Sequence, residues 1–473
     1  MVATHTDGFV QVPNSTNRGN LAGGRAYPLL SVPKIAIRRI RPQLPPGVTP
    51  GLQIVMVAGR TVPARVSFDL QSNAAGGHYS WAREIADRCQ ADVWIMEVQG
   101  HGASSRPGPM SDPCNILKVD QQSAFGQVLC EPPSWTGNCG SSDSEWQELD
   151  AVVDHVRSET LRDDPSWASR FTGRVVLIGY SAGANVVGPY AMQHPEKVWG
   201  LLLLAPIFPP DGPSDRPGPP ADPVVAPDPT CTEKFYGAPM GVLTNQPKGA
   251  FWPTLGPNAS CPEPPRNEAV IDDIWNAMMQ DEPGSGLVPG HQIYRWPTRY
   301  WWGWNQSLVS ADPRLGKEPV GGALVTDVGI PVLIIAGLRD GTIRAKKDLT
   351  DGRGAFSVDS LYEAIAGRGK AMMYDIECGS HLIMWQEPYR HKLHDLSIEW
   401  LTGFANYVGP ARLAPTPSNP GASNPAFRPV SLPHGGSGRY FVPRNGGRPR
   451  EWNGHVLVDS RPRRDPIIVR PNG

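Results

Sequence analysis

The sequence predicts an α/β fold with a mostly parallel central sheet flanked by helices. Three observations lead there. First, short apolar runs recur along the chain, at 52–58 (LQIVMVA), 92–98 (DVWIMEV), 174–178 (RVVLI), 198–205 (VWGLLLLA), 330–337 (IPVLIIAG) and 370–376 (KAMMYDI). Strands buried on both faces, as in parallel sheets, read this way. Second, segments with apolar residues at helical spacing lie between them, and strands alternating with helices build parallel sheets through crossover connections. Third, the alternation breaks only twice, at about 104–143 and 207–325, in Pro/Gly-rich stretches too long for ordinary connections, which read as insertions.

Each element follows from local pattern. Residues 1–50 make an N-terminal arm and the first strands. Within them 1–33 are polar, an arm or irregular strand, and 34–40 alternate apolar and basic residues as an edge strand does. Residues 51–206 are the first part of the core. After the strand at 52–58, a helix at 79–89 places Trp81, Ile85 and Ala86 on one side. The strand at 92–98 leads into the first insertion. A helix at 144–160 carries Trp146, Leu149, Val152, Val153 and Val156 on one stripe, with Asp143 or Ser144 as its cap. A helix-like stretch, 184–194, follows the strand at 174–178. Residues 207–325 form a large Pro- and aromatic-rich insertion with two helix-like pieces, 269–279 and 298–310. The core resumes over 326–408, with a helix-like piece at 358–366. Its last helix, 388–408, has Leu393, Leu396, Ile398, Leu401 and Phe404 as apolar side; His391 and His394 fall on its polar face. Residues 409–473 are Pro/Gly/Arg/Asn-rich and read as an irregular, basic, solvated extension rather than a polyanion-binding surface.

Charge and composition exclude several function classes. Lys and Arg number 44 against 45 Asp and Glu in 473 residues, so nothing global draws the chain to nucleic acid or anionic lipid. No apolar run approaches the roughly 20 residues a membrane-crossing helix needs. The seven cysteines include five, Cys114 to Cys261, in loop-like segments, which suits disulfides in an oxidising compartment. The N-terminus has no basic-then-apolar leader. Secretion with a leader absent from this sequence and a cytoplasmic location are therefore equally compatible. No Cys-x-x-Cys or His-x-x-x-His spacing suggests a metal.

The chemistry centres on Gly179-Tyr180-Ser181-Ala182-Gly183, set between the apolar strand run and the helix-like stretch. Strand, sharp Gly-x-Ser-x-Gly turn and helix is the context of a nucleophile elbow: the turn lifts the hydroxyl above the sheet, and its tightness demands small residues two before and two after the serine. The alternative is a glycine-rich turn that merely lets backbone approach closely.

With that elbow the order of parts resembles the α/β-hydrolase fold superfamily, over about 52–206 and 330–408. Three further features carry the resemblance. Gln99-Gly100-His101-Gly102-Ala103-Ser104 is similar to the family's Arg-Gly-x-Gly-x-Ser turn after the fourth strand. Leu338-Arg339-Asp340-Gly341 follows a strand as the family's acid does, and Gly379-Ser380-His381 follows the last strand as its histidine does. The order Ser181, Asp340, His381 is the family's. One departure is Ala58-Gly59, where the family usually shows His-Gly.

The resemblance implies a catalytic triad. A serine hydroxyl needs a base within hydrogen-bond reach and a group that orients the base; His381 is expected as base and Asp340 as orienter. Asp211, after the preceding strand, is the alternative acid. His391, His394, His434 and His455 lie on a helix or in the tail. The oxyanion hole is expected from the backbone N–H of Ala182 and one from the loop after the third strand, Arg60 first and Thr61 second. The Arg60 guanidinium has two equal readings, a substrate carboxylate contact or a surface ion pair. In this family an insertion at 207–325 is a cap, and its aromatics imply an apolar roof. Tyr180, Trp301, Trp302 and Trp385 are candidate pocket residues. The expected function is a serine hydrolase cleaving a small-molecule carboxylic ester through an acyl-Ser181 intermediate, without metal or organic cofactor. The alternatives are the same triad used for acyl transfer, amide or thioester hydrolysis, perhydrolysis or C–C cleavage, and a non-catalytic binding protein on this fold. Substrate identity and oligomeric state are not read from the sequence.

Overall fold

A computed structural model of the chain describes residues 3–13, 32–59, 62–72, 79–106, 112–115, 121–122, 125–129, 142–171, 173–208, 240–242, 267–281, 293–295, 330–344, 356–359, 361–362, 371–407 and five short C-terminal strands within 427–469. Its centre is one sheet of nine strands: β1 (Thr4–Gln11), β2 (Lys34–Arg41), β3 (Gln53–Val57), β4 (Asp92–Met96), β5 (Val175–Tyr180), β6 (Val198–Leu204), β7 (Val332–Gly337), β8 (Ala371–Ile376) and β9 (Ile467–Val469). Their spatial order is β1-β2-β4-β3-β5-β6-β7-β8-β9. Pairing is antiparallel for β1–β2 and β2–β4 and parallel throughout the rest. The apolar runs read from the sequence are these parallel strands. Every residue of β3, β4, β5, β7 and β8 is buried.

Helices cover both faces, as continuous apolar strands require. Those used below are α1 (Ala64–Phe68), α2 (Trp81–Cys89), α3 (Ser142–Asp163), α4 (Ala184–Gln193), α5 (Glu268–Asp281) and α6 (Tyr389–Tyr407), and a further short helix spans Trp167–Phe171. Helix α2 shows how local sequence sets its limits. Ser80 caps its start by accepting the Arg83 N–H at 3.1 Å, and Gln90 ends it in the left-handed region at φ 52°. Between these limits Trp81, Ala82, Ile85, Ala86 and Cys89 are buried. The stripe expected on α3 is buried as well.

Several expectations are corrected. Residues 34–40 are not an edge: β1 pairs with β2 over all eight residues, from Thr4 with Arg41 to Gln11 with Lys34. The alternation of basic residues misleads because Arg39 points inward. It is paired with buried Asp92 and with Asp163, and stacks 4.4 Å over Trp94. Helix α3 begins at Ser142, so Asp143 and Ser144 lie in its first turn rather than capping it. His394 is buried, not on a polar face. Helix α1 had no sequence signal. The extension from 409, expected to be irregular, carries a four-stranded antiparallel sheet (Phe427–Ser431, Ser437–Phe441, Arg450–Trp452, Leu457–Asp459) and supplies β9.

Of residues 207–325, the described ones are 207–208, 267, α5 and a short antiparallel pair, Met240–Val242 with Ile293–Arg295. Helix α5 buries Val270, Ile271, Ile274 and Met278, and Asp273 and Asp281 tie it to the core by accepting from Ser72 at 2.5 Å and from Arg65 at 2.5 and 3.1 Å. The expected helix at 298–310 lies outside the described residues. Cys114 and Cys378 each take part in a disulfide, and Cys89 is a free buried thiol whose pKa burial pushes up to about 12.

Candidate active site

The site forms along the edge of the sheet where β5, β7 and β8, all running the same way, end, with β6 between β5 and β7. Strand β5 ends at Tyr180, and Ser181 adopts φ 52°. That conformation costs a non-glycine residue about 1–2 kcal/mol, and the surroundings hold it in place. The Ser181 carbonyl accepts the Ile207 N–H at 3.2 Å, and α4 starts three residues on. The requirement for a small residue at 183 is steric: a Cβ there would sit 2.3 Å from the Val57 carbonyl oxygen and 2.7 Å from that of Ala58. The elbow therefore packs directly on the end of β3. Gly59, next along the same segment, also packs on it, since a Cβ at 59 would lie 2.8 Å from Ser181 Cβ and 3.2 Å from its Oγ.

Two loops bring the other groups. The turn after β7 carries Asp340, whose N–H donates to the Gly337 carbonyl at 3.2 Å. One carboxylate oxygen, Oδ1, accepts the backbone N–H groups of Thr342 (2.9 Å) and Ile343 (3.3 Å), which fixes the plane of the carboxylate. The loop after β8 carries His381. It is knitted to the acid turn, with the Leu338 N–H on the Ile376 carbonyl and the Arg339 N–H on the Gly379 carbonyl, each at 3.0 Å.

The three side chains meet in a chain of hydrogen bonds. His381 Nδ1 lies 2.7 Å from Asp340 Oδ2, and His381 Nε2 lies 2.9 Å from Ser181 Oγ. An ionised carboxylate only accepts, so the Nδ1 side carries the proton and Nε2 presents its lone pair to the serine hydroxyl. Ser181 and Asp340 are buried, and the His381 side chain keeps 19% of its surface exposed. Tyr180 lies beside it, ring centroids 5.3 Å apart, and its hydroxyl donates to the His381 carbonyl at 3.2 Å. Burial, with the Asp340 carboxylate nearby, pushes the Tyr180 hydroxyl well above its ordinary value, so it stays a donor.

The structure thus brings together Ser181, Asp340, His381 and Tyr180. Ala182 is next to Ser181 and buried, and Trp385 is buried in the turn after His381. Arg60, Thr61, Asp211, Trp301 and Trp302 lie outside the described residues. Reading the sequence missed the positions around the triad: the Thr342 and Ile343 amides and the side chains of Ser380 and Gln386. Backbone amides carry no residue-type signal, and a Ser or Gln in a loop has no distinguishing one. Among the described residues, no group of three or more His, Cys, Asp or Glu is arranged to hold a metal ion, and no helix is long and apolar enough to cross a membrane.

No curated protein matches the chain. Solved structures that resemble it include an esterase from Thermogutta terrifontis, at 16% identity and TM-score 0.39, covering 84% of this chain and 99% of that one. The serine hydrolase CCSP0084 from Cycloclasticus zankles is 12% identical at TM-score 0.38, covering 85% and 99%. A monoacylglycerol lipase from Paleococcus ferrophilus is 15% identical at TM-score 0.37, covering 75% and 96%. These likenesses are too distant to argue from. The sequence profile of the alpha/beta hydrolase fold, however, matches residues 74–388, from before α2 to the start of α6. It takes in the elbow, the acid turn and the histidine loop, and on that match the chain belongs to the alpha/beta hydrolase fold family.

Proposed function

We propose that this protein is a serine hydrolase that cleaves a small carboxylic ester through an acyl-Ser181 intermediate. The observation that carries the reading is the continuous chain Ser181 Oγ–His381 Nε2 (2.9 Å) and His381 Nδ1–Asp340 Oδ2 (2.7 Å). Both contacts are within the reach a proton-transferring pair needs, and the acid is itself oriented by two backbone N–H groups.

In this reading His381 takes the Ser181 proton as Oγ attacks the ester carbonyl. The tetrahedral oxyanion is met by the Ala182 N–H and by a second N–H from the loop after β3, with Arg60 the choice there. His381 then gives the proton to the departing alkoxide, leaving the acyl group on Ser181. Water, deprotonated by His381, releases the acid and restores the serine. Asp340 holds the imidazole tautomer and stabilises the imidazolium throughout. Each oxyanion donor is worth about 3–4 kcal/mol in the transition state. Residues 207–325 would act as the cap over an apolar pocket to which Tyr180, Trp385, Trp301 and Trp302 contribute.

The test is fluorophosphonate labelling followed by peptide mapping, with Ser181→Ala as control. Label on the Ser181 peptide, absent from the variant, is expected. A folded protein that neither takes up the label nor turns over a soluble ester overturns the proposal.

A further inference from the structure

We propose that Gln386, acting through Ser380, is a positioning residue for the general base, fixing the short loop that carries His381 and so setting where Nε2 meets Ser181. The inference rests on the serine-hydrolase reading above.

A single contact with Asp340 defines the imidazole at Nδ1. One hydrogen bond at one ring atom does not place a side chain whose backbone can shift, so the backbone must be fixed separately. Strand β8 ends at Ile376, five residues before His381. The fixing is done from the far side of the loop. The Gln386 side-chain oxygen Oε1 accepts two hydrogen bonds from one residue, the Ser380 N–H at 3.1 Å and the Ser380 Oγ–H at 2.7 Å. Having given its proton away, Ser380 Oγ accepts the Leu382 N–H at 3.1 Å. The residues on both sides of His381 are thus tied to one amide oxygen. From the third direction, the Tyr180 hydroxyl donates to the His381 carbonyl.

Gln386 can serve as an anchor because its own backbone is held at both ends. Its N–H donates to the Ile383 carbonyl at 3.2 Å, and its carbonyl accepts the Arg390 N–H at 2.8 Å at the start of α6. Ser380 and Gln386 are almost fully buried, at 0% and 1% exposure. Among the described residues, the Gln386 Nε2 donor has no hydrogen-bond partner. An apolar residue of similar size would avoid leaving that donor unpaired, so what the glutamine supplies here is its oxygen, and the oxygen is directed entirely at the histidine loop.

The test compares the full-length wild type with Gln386→Leu, Ser380→Ala and the double variant, using 4-nitrophenyl acetate turnover, fluorophosphonate labelling and thermal unfolding. A small displacement of a catalytic group lowers the chemical step by up to about 100-fold. Each single variant is therefore expected to lose about 10- to 100-fold in kcat and to label correspondingly slowly, with KM within about twofold of wild type. Because both residues serve one oxygen-centred unit, the double variant should be no worse than the poorer single one. Both singles within about twofold of wild-type kcat, losses that multiply in the double variant, or a fall explained by the unfolded fraction would each overturn the inference. If Gln386→Leu does not fold, Ser380→Ala, which removes one oxygen, decides the question alone. A wild type that neither labels nor turns over ester sinks the hydrolase reading and this inference with it. An active wild type with unimpaired variants sinks only the inference.

Discussion

Asp340→Asn tests the triad more sharply than removal of the nucleophile, because its effect follows from the direction of four hydrogen bonds. In the native turn Oδ1 accepts from the Thr342 and Ile343 amides, and Oδ2 accepts from His381 Nδ1. An asparagine has one oxygen and one NH2 for these two places. With its oxygen toward the two amides, its NH2 faces Nδ1. With its NH2 toward the amides, the buried Ile343 N–H loses its acceptor, at about 1–3 kcal/mol, and the part-buried Thr342 N–H loses its own at a smaller cost. The first orientation is therefore favoured by at least about 1 kcal/mol, or roughly fivefold. In that orientation Nδ1 must accept, the ring proton moves to Nε2, and Nε2 can no longer take the Ser181 proton. The variant should fold, since the amides keep their acceptor, yet lose activity by about 10⁴ in kcat, equivalent to about 5 kcal/mol of barrier, the wrong tautomer supplying part of the loss and the missing carboxylate charge beside the imidazolium the rest. The assay is kcat on a soluble ester beside a thermal unfolding curve. A folded variant within tenfold of wild type would refute the assignment of Asp340 and return the acid role to Asp211.

Three other outcomes follow from the same contacts. Gly183→Ala drives a Cβ into the Val57 and Ala58 carbonyl oxygens at 2.3 and 2.7 Å, backbone atoms that cannot step aside; a loss of at least about 1–3 kcal/mol in stability, with slowed labelling at Ser181, is expected from a urea titration and the probe. Arg344→Met removes the guanidinium that donates to the Gly337 carbonyl, Asp359 and Asp375, and leaves Asp375 as an uncompensated buried carboxylate, at a cost of about 3–5 kcal/mol. Burial already pushes Asp375 up to about 6, so the melting-temperature deficit of this variant should be larger at pH 8, where the group is charged, than at pH 5. Burial pushes His394 down to about 3 from 6.5, so the unfolded chain binds a proton there that the folded one does not. Stability should fall as pH drops from 6.5 towards 3, and His394→Asn should flatten that fall in urea midpoints measured at pH 7 and 4.5.

The core was legible because strands buried on both faces cannot be written without continuous apolar runs, and six such runs each landed on a strand. The elbow was legible for a similar reason: Gly183 faces carbonyl oxygens at distances no side chain tolerates, so the backbone geometry is written directly into residue type. Where a pattern admits two physical causes, the reading failed. Basic residues alternating along 34–40 suit a solvated edge, but they also suit a strand whose Arg39 is neutralised by Asp92 and Asp163 from segments 53 and 124 residues away. Nothing within the strand distinguishes the two, because the deciding carboxylates are remote in sequence. His394 was misplaced for a related reason. A helix period assigns faces relative to one neighbour; α6 also packs against α2, and the imidazole that the period alone assigns to solvent is buried, within reach of the charge of Arg88 on α2.

The candidate site divides along the same line. Ser181, Asp340 and His381 are residue types with strong chemical requirements in loops that follow recognisable strands, and the structure places the three in contact. What fixes them is chemically ordinary: two backbone amides, a serine and a glutamine, and the guanidinium of Arg344. Any of these side chains in a loop is commonplace, and its meaning comes only from where a carbonyl or amide oxygen lies in three dimensions. Residue type can therefore nominate the groups that react, while their precision is set by neighbours of no distinctive type. For that reason Gln386 and Arg344, rather than the triad itself, are the positions where measurement adds most to what the sequence already implies.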